Sequence, residues 1–117
     1  MAKVTQIGAR QCILSRKPFE GSNISAGWHE TFWGTNEDLV YTVYSYNWYP
    51  IFLFSTIADK WFRTDSSYSK TTAKQMSRIF PYGDLDVKTV PHSMMEDLDR
   101  FGYQYIVEQR LDGARYA

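Results

Sequence analysis

The fold of this chain is decided by residues 41–79, which read YTVYSYNWYPIFLFSTIADKWFRTDSSYSKTTAKQMSRI. The first half of this stretch is rich in aromatic and β-branched residues, which suit the pleated surface of a sheet. The second half turns polar and then places apolar residues at helical spacing. The stretch therefore predicts an antiparallel meander that runs directly into a capped helix.

Three strands are predicted in this region. Residues 39–46 form the first, and their apolar side chains on both faces indicate a central strand. Residues 51–55 and 61–64 form the next two, separated by a turn at residues 58–60. Because Pro50 cannot donate a ladder hydrogen bond, we expect it at a strand start or at a sheet edge.

The segments upstream predict two further strands. Residues 11–15 form one that ends before Pro18. Ile24, Ala26 and Trp28 alternate with polar or small residues, which predicts a strand with one buried face. Turns are expected at Gly21 and in the polar cluster of residues 34–38.

Two helices are predicted from their capping signals. Thr72 and Gln75 have the spacing of a capping box, in which each side chain bonds a free N–H at the helix start. Ser93 and Glu96 repeat that spacing for a second helix. Gly102 is placed to end this second helix.

The C-terminal segment leaves two alternatives. Residues 103–111 alternate as a last strand, which we favour, or the second helix continues through Gly102 at a cost of about 1 kcal/mol relative to Ala. The whole chain, residues 1–117, is thus predicted to be one α+β domain. We expect an antiparallel sheet of about four to five strands with two short helices packed on one side.

Composition narrows the class of protein. The 117 residues are 44% hydrophobic, which is enough for a core, and their formal net charge is zero. A general nucleic-acid binder is usually basic and a DNA mimic strongly acidic, so neither is favoured.

The single cysteine, Cys12, excludes an intrachain disulfide and is expected to be a small core residue in a reducing compartment. An N-terminus without an apolar leader and an apolar run limited to residues 48–54 predict a cytoplasmic protein without a membrane span.

The sequence carries no constellation typical of catalysis. His29 and His92 lack a cysteine or second histidine at metal-ligand spacing. There is neither a phosphate-binding glycine loop nor a nucleophile elbow. We therefore expect no enzymatic activity, no metal and no cofactor.

Binding is the function class that the side chains suggest. Large rings and an acidic group in the first turns of the second helix are candidate contacts for a protein partner: Trp28, Trp33, Trp48, Tyr49, Glu96, Asp97 and Asp99. The alternative is a nucleic-acid surface, in which Lys70, Lys74 and Arg78 form a basic ridge beside Tyr68. So many rings on a small domain also allow a homodimer.

Several short motifs occur in an order that resembles a group of small uncharacterised proteins of tailed bacteriophages. They are the FEGSNISA segment at residues 19–26, Tyr-x-Val-Tyr-Ser-Tyr at residues 41–46, Pro50-Ile51, Trp61, and Tyr-Ser-x-Thr-Thr-x-x-Gln at residues 68–75. The chain departs from that group at Gln75-Met76, where a His-Gln pair is common, and at Trp48-Tyr49, which add bulk. Everything after Phe80 lies outside the resemblance.

The resemblance implies an origin and a kind of function. Small phage proteins of this kind often bind a host protein, and some block host defences, including CRISPR–Cas complexes. Our leading hypothesis is a phage-encoded protein that binds and inhibits a host anti-phage defence complex in the cytoplasm, with an anti-CRISPR as the specific candidate. The alternative is a nucleic-acid-binding phage accessory protein.

Overall fold

A single mixed sheet carries the fold. The structure is a computed structural model and describes residues 3–4 and 6–110, where seven strands pair in the order of the sequence. They are β1 (Lys3–Val4), β2 (Phe19–Gly21), β3 (Ile24–Trp33), β4 (Asn36–Ser45), β5 (Tyr49–Ser55), β6 (Lys60–Thr64) and β7 (Val87–Val90). The described residues also form the helices α1 (Gln6–Ser15), α2 (Lys70–Arg78), α3 (His92–Phe101) and α4 (Tyr103–Arg110).

The predicted antiparallel meander is confirmed for β4 to β6, and β3 adds to it as a further antiparallel strand. Ala26 pairs with Val43 across β3 and β4, and Val43 pairs with Phe52 across β4 and β5. Pro50 is the second residue of β5, beside an irregularity in the pairing with β4, where its missing N–H is tolerated. The outer pairs, β1 with β2 and β6 with β7, are parallel. The sheet is therefore mixed and has seven strands, where an antiparallel sheet of about four to five strands was predicted.

Helices cover both faces of the sheet, which corrects the prediction that they pack on one side. On one face, residues of α1 and α2 join a cluster around Tyr41 and Phe52. On the other, residues of α3 and α4 join a cluster around Val40 and Leu53. Every residue of β5 is buried, and a strand that is apolar on both faces requires a layer on each.

Residues 11–15 belong to helix α1 and not to a strand. Ala9 and Ile13 are almost completely buried and lie four residues apart, so one helical face reaches the core. Cys12 is half-buried and packs against the same core, in agreement with the structural role predicted for it.

The C-terminal segment is helical, so the favoured strand was wrong. Gly102 has a φ of 89° and ends α3, after which α4 starts as a separate helix. Adjacent Tyr105 and Ile106 are both buried against the second cluster, which a strand with one covered face would not allow. Residue 111, the end of the predicted strand, lies outside the described residues.

Both predicted capping boxes were misplaced. Ser69 is the N-cap of α2, and its hydroxyl accepts a hydrogen bond from the N–H of Thr72 at 3.3 Å. Thr72 lies inside the helix, where its side chain is buried. In α3 the N-cap is Pro91, no side chain caps the helix, and Ser93 lies within the first turn.

The buried polar face of α2 binds the sheet directly. The Ser45 hydroxyl lies 2.8 Å from the Thr72 hydroxyl and donates to the Gln75 side-chain oxygen at 2.7 Å. The Gln75 amide in turn donates to the Asn23 carbonyl at 3.0 Å. The Ser-x-Thr-Thr-x-x-Gln pattern therefore explains how α2 docks on β4 and on the turn before β3.

Candidate interaction surface

Four tyrosine and tryptophan rings meet at the end of the sheet formed by the β4–β5 turn. We call Tyr46, Trp48, Tyr49 and Tyr68 the aromatic cluster. Tyr68 is central to it: its ring centroid lies 4.8 Å from that of Trp48, 5.6 Å from that of Tyr49 and 5.8 Å from that of Tyr46. Such edge-on and tilted contacts are the arrangements that aromatic rings favour.

Local backbone geometry places these rings. Tyr46 and Asn47 both have positive φ, at 54° and 66°, which reverses the chain between β4 and β5 in few residues. The Trp48 N–H donates to the Ser45 carbonyl at 3.2 Å and closes this turn. Tyr68 directly precedes Ser69, the N-cap of α2, so the start of that helix positions its ring.

The cluster combines a buried base with exposed rings. Tyr49 is only 7% exposed and stacks on His92, with ring centroids 4.0 Å apart. The His92 Nδ1 lies 2.8 Å from the Thr64 hydroxyl, and burial lowers the pKa of His92. Trp48 and Tyr68 are 55% and 56% exposed. Trp48 and Tyr68 are thus exposed to solvent, and the packed side chains of Tyr49 and His92 support them.

Charges of both signs surround the aromatic cluster. Lys70 and Lys74 are exposed on α2. Lys70 follows Tyr68 by two residues, and Lys74 lies about one helical turn after Lys70. Asp65 and Glu96 are also exposed, and both act electrostatically on Tyr49. The surface is therefore amphipathic and mixed in charge rather than uniformly basic.

The other two tryptophans proposed as contacts are held within the fold. Trp28 packs on Tyr41 at 5.4 Å and donates from Nε1 to the Arg16 carbonyl at 2.8 Å. Trp33 packs against Tyr105 on α4, with centroids 4.6 Å apart. Both are half-buried, and the structure does not bring them to the aromatic cluster.

The acidic residues of α3 have different environments and do not form one surface. They follow the first turn of the helix. Glu96 is exposed, Asp97 is half-buried, and Asp99 turns towards the sheet. The residues of the predicted basic ridge, in contrast, share one environment, because Lys70, Lys74 and Arg78 are all exposed on α2.

A group of interacting titratable side chains lies between α3 and the sheet. The Asp99 carboxylate accepts hydrogen bonds from the Thr42 and Tyr44 hydroxyls, each at 2.7 Å to Oδ1. His29 Nε2 lies 3.2 Å from the same oxygen and 2.8 Å from the Asp99 carbonyl. The hydrogen bond to Asp99 raises the pKa of His29, and burial raises the pKa of Tyr44. These mutual bonds fix α3 on the sheet.

Sequence reasoning missed how the cluster is assembled. Trp48 and Tyr49 were assigned to a protein surface and Tyr68 to a nucleic-acid surface, yet the structure brings them together. Tyr46 and His92 were not proposed as site residues. The one signal in the sequence was the Tyr-Ser-Tyr-Asn-Trp-Tyr run, which places rings on both sides of a turn.

Few other features point to a function. Among the described residues, no group of three or more potential metal ligands occurs. No helix in that part of the chain is long and apolar enough to cross a membrane. Comparison with protein-family models, with curated proteins and with solved structures gives no match.

Proposed function

We propose that this protein is a binding protein that uses the aromatic cluster to dock on a partner protein. The observation that carries the proposal is the exposure of Trp48 and Tyr68 beside the buried Tyr49, which stacks on the half-buried His92. Exposed tryptophan and tyrosine rings on a rigid support are the usual anchors of protein interfaces. The mixed charges around them suit a polar rim.

The resemblance to small phage proteins directs the proposal to a bacterial host. In this hypothesis the protein occludes part of a host defence complex, of which a CRISPR–Cas effector is the specific candidate. Binding by occlusion needs an anchored surface and no chemistry, which agrees with the expectation that the chain is not an enzyme. That expectation stays a prediction.

A pull-down with matched variants tests the proposal. We expect the wild-type protein to retain a stable partner from bacterial lysates that contain CRISPR–Cas complexes, and the Trp48→Ala/Tyr68→Ala double variant to lose it. Loss of one interface anchor typically weakens binding by about 2 kcal/mol or more. Phe32→Ala is the control, because Phe32 is 56% exposed and belongs to the β3–β4 hairpin. Equal capture by all three proteins, or capture by none, would contradict the proposal.

Binding to single-stranded nucleic acid is the second candidate. It is favoured by the exposed Lys70 and Lys74 near Tyr68, since a basic track beside stacking rings is how such strands are held. It ranks second because Asp65 and Glu96 would repel phosphate groups. Salt-sensitive binding of a labelled oligonucleotide that is lost in Lys70→Ala/Lys74→Ala would support it. No binding at low salt would exclude it.

A further inference from the structure

A cleft of about 330 Å³ opens between the segment that follows β6, the side of α2 and Tyr82. Its volume falls at the lower end of the range of small-molecule sites, roughly 300–1,000 Å³. The cleft borders the aromatic cluster, since the Tyr49 hydroxyl donates to the carbonyl of Ser66, a residue of the cleft lining, at 3.3 Å. The cleft lining includes none of the four rings of the aromatic cluster, so ligand binding there goes beyond the proposed function.

Arg63 supplies the cleft with a positive charge. Its Nη1 donates to the Tyr82 hydroxyl at 3.0 Å, and its Nε donates to the Thr64 carbonyl at 3.4 Å. Within residues 7–109, whose side chains the structure describes, no carboxylate forms an ion pair with this half-buried guanidinium. Asp65 lines the same cleft, but its Oδ1 accepts from the Ser66 hydroxyl at 2.8 Å. An arginine fork with unpaired N–H groups in a cleft is suited to an oxyanion.

The remaining lining is both hydroxylic and apolar. Ser67 and Ser77 add hydroxyl groups to the lining, while Ala73, Met76 and the Tyr82 ring form an apolar wall. The Tyr82 hydroxyl already donates to the Met76 carbonyl at 2.7 Å, which holds that wall in place. A ligand that matches all of these groups has an anionic head and a compact apolar body.

Charge decides which anionic head fits. The lining offers one guanidinium and one carboxylate, so a second negative charge on the ligand would face Asp65 without compensation. A carboxylate carries a single charge and matches the planar guanidinium fork. We propose that this cleft binds a small aromatic or short-chain carboxylate, with its head at Arg63 and its body against Met76 and Tyr82.

Titration with benzoate, followed by NMR chemical shifts of the full chain, tests this site. We expect saturable shifts for Ser67, Ala73 and Ser77 in the wild type, and none with benzyl alcohol, which lacks the charge. Arg63→Gln should weaken benzoate binding by about tenfold or more, since a hydrogen bond to a charged group contributes at least that much. Arg78→Gln, which removes an exposed arginine at the end of α2, should leave binding unchanged.

A second variant keeps the test decisive if Arg63→Gln does not fold. Ala73 is exposed on α2, so Ala73→Glu is compatible with the helix and places a carboxylate in the cleft. It should abolish the benzoate shifts while leaving partner capture through Trp48 intact. The site is refuted if benzoate gives no saturable shifts in the wild type or binds Ala73→Glu equally well. Preference for inorganic phosphate over benzoate would refute the assignment of a carboxylate.

Discussion

Gly102 shows how a single residue sets the path of the chain. Its φ of 89° ends α3, and a Cβ atom built there would lie 2.8 Å from the Asp38 Cβ and in contact with the Thr31 hydroxyl. The same Asp38 carboxylate accepts the N–H of Tyr103 at 2.9 Å, at the start of α4. The junction of α3 and α4 therefore rests directly on β3 and β4, where only glycine fits.

Gly102→Ala should be strongly destabilising. We expect the free energy of unfolding to fall by about 2 kcal/mol or more, because strain at positive φ adds to the clash with Thr31 and Asp38. Urea denaturation followed by circular dichroism measures this loss. Gly27→Ala is the control, since no atom lies within 4 Å of a Cβ at Gly27. A Gly102→Ala variant as stable as the wild type would mean that α3 and α4 do not meet the sheet in this way.

At the scale of the element, α2 is held by a buried polar network as well as by apolar packing. Ser45 bonds both Thr72 and Gln75, and all three side chains are buried. A buried network of this kind stabilises the fold only while every member has a partner. The network therefore fixes the position of the helix whose N-terminus carries Tyr68.

Ser45→Ala should destabilise the protein by about 1–3 kcal/mol, because Thr72 and Gln75 lose a buried partner. Thermal unfolding gives the change, and the Ser45→Ala/Thr72→Val double variant should lose less than the sum of the two single variants. Ser77→Ala, on the exposed side of α2, should change stability by no more than about 0.5 kcal/mol. Additive losses would indicate that these side chains act independently.

The elements that sequence predicts well are those with a local signature. Strands β3 to β6 show alternation or β-branched and aromatic runs, and their register follows from the short turns between them. Helix α1 was mispredicted because the apolar run at residues 12–14 is too short to distinguish the two periods. Helix α4 was mispredicted because Tyr103, Tyr105 and Val107 alternate as in a strand. The burial of both Tyr105 and Ile106 in the second core favours a helix instead.

The arrangement of elements and the site depend on contacts that are distant in sequence. Val40 and Leu53 lie on the face of the sheet opposite α1 and α2, and the layer of α3 and α4 buries them. The need to bury these two side chains favours the position of α3 on that face. Trp48 and Tyr68 are individually recognisable as contact residues. Their meeting, however, depends on where α2 begins, and that depends on Ser69 and Ser45 rather than on the rings themselves.

For the molecule as a whole, the sheet separates two cores, and polar contacts attach the helical layer of α3 to it. His29 on β3 and Asp99 on α3 form an ion pair when His29 is protonated. Its distance of 3.2 Å and the hydroxyls of Thr42 and Tyr44 around it make Asp99 a fixed acceptor. Protonation of His29 therefore strengthens the attachment of one layer to the sheet.

Stability should accordingly depend on pH through His29. Its hydrogen bond to Asp99 raises its pKa above the ordinary 6.5, so the folded state binds the proton more tightly than the unfolded chain. The resulting stabilisation is complete below the ordinary pKa and is lost as pH rises through the raised, folded-state pKa. His92 acts in the opposite sense, because burial lowers its pKa and stability falls as pH drops from the ordinary pKa towards that lowered value. The wild-type profile therefore mixes two opposing contributions.

His29→Gln separates the two contributions, since it keeps a hydrogen-bond donor and removes the charge. We expect this variant to be less stable than the wild type at about pH 5.5 and close to it at about pH 8.5, on either side of the ordinary histidine range. Urea denaturation at both pH values gives the difference in the free energy of unfolding between the variant and the wild type. The contributions of carboxylates, which both proteins share, largely cancel in this difference. His92→Gln should show the reverse trend, with its stability relative to the wild type rising as pH falls. A His29→Gln deficit that is the same at both pH values would show that the neutral hydrogen bond, and not the charge, attaches α3 to the sheet.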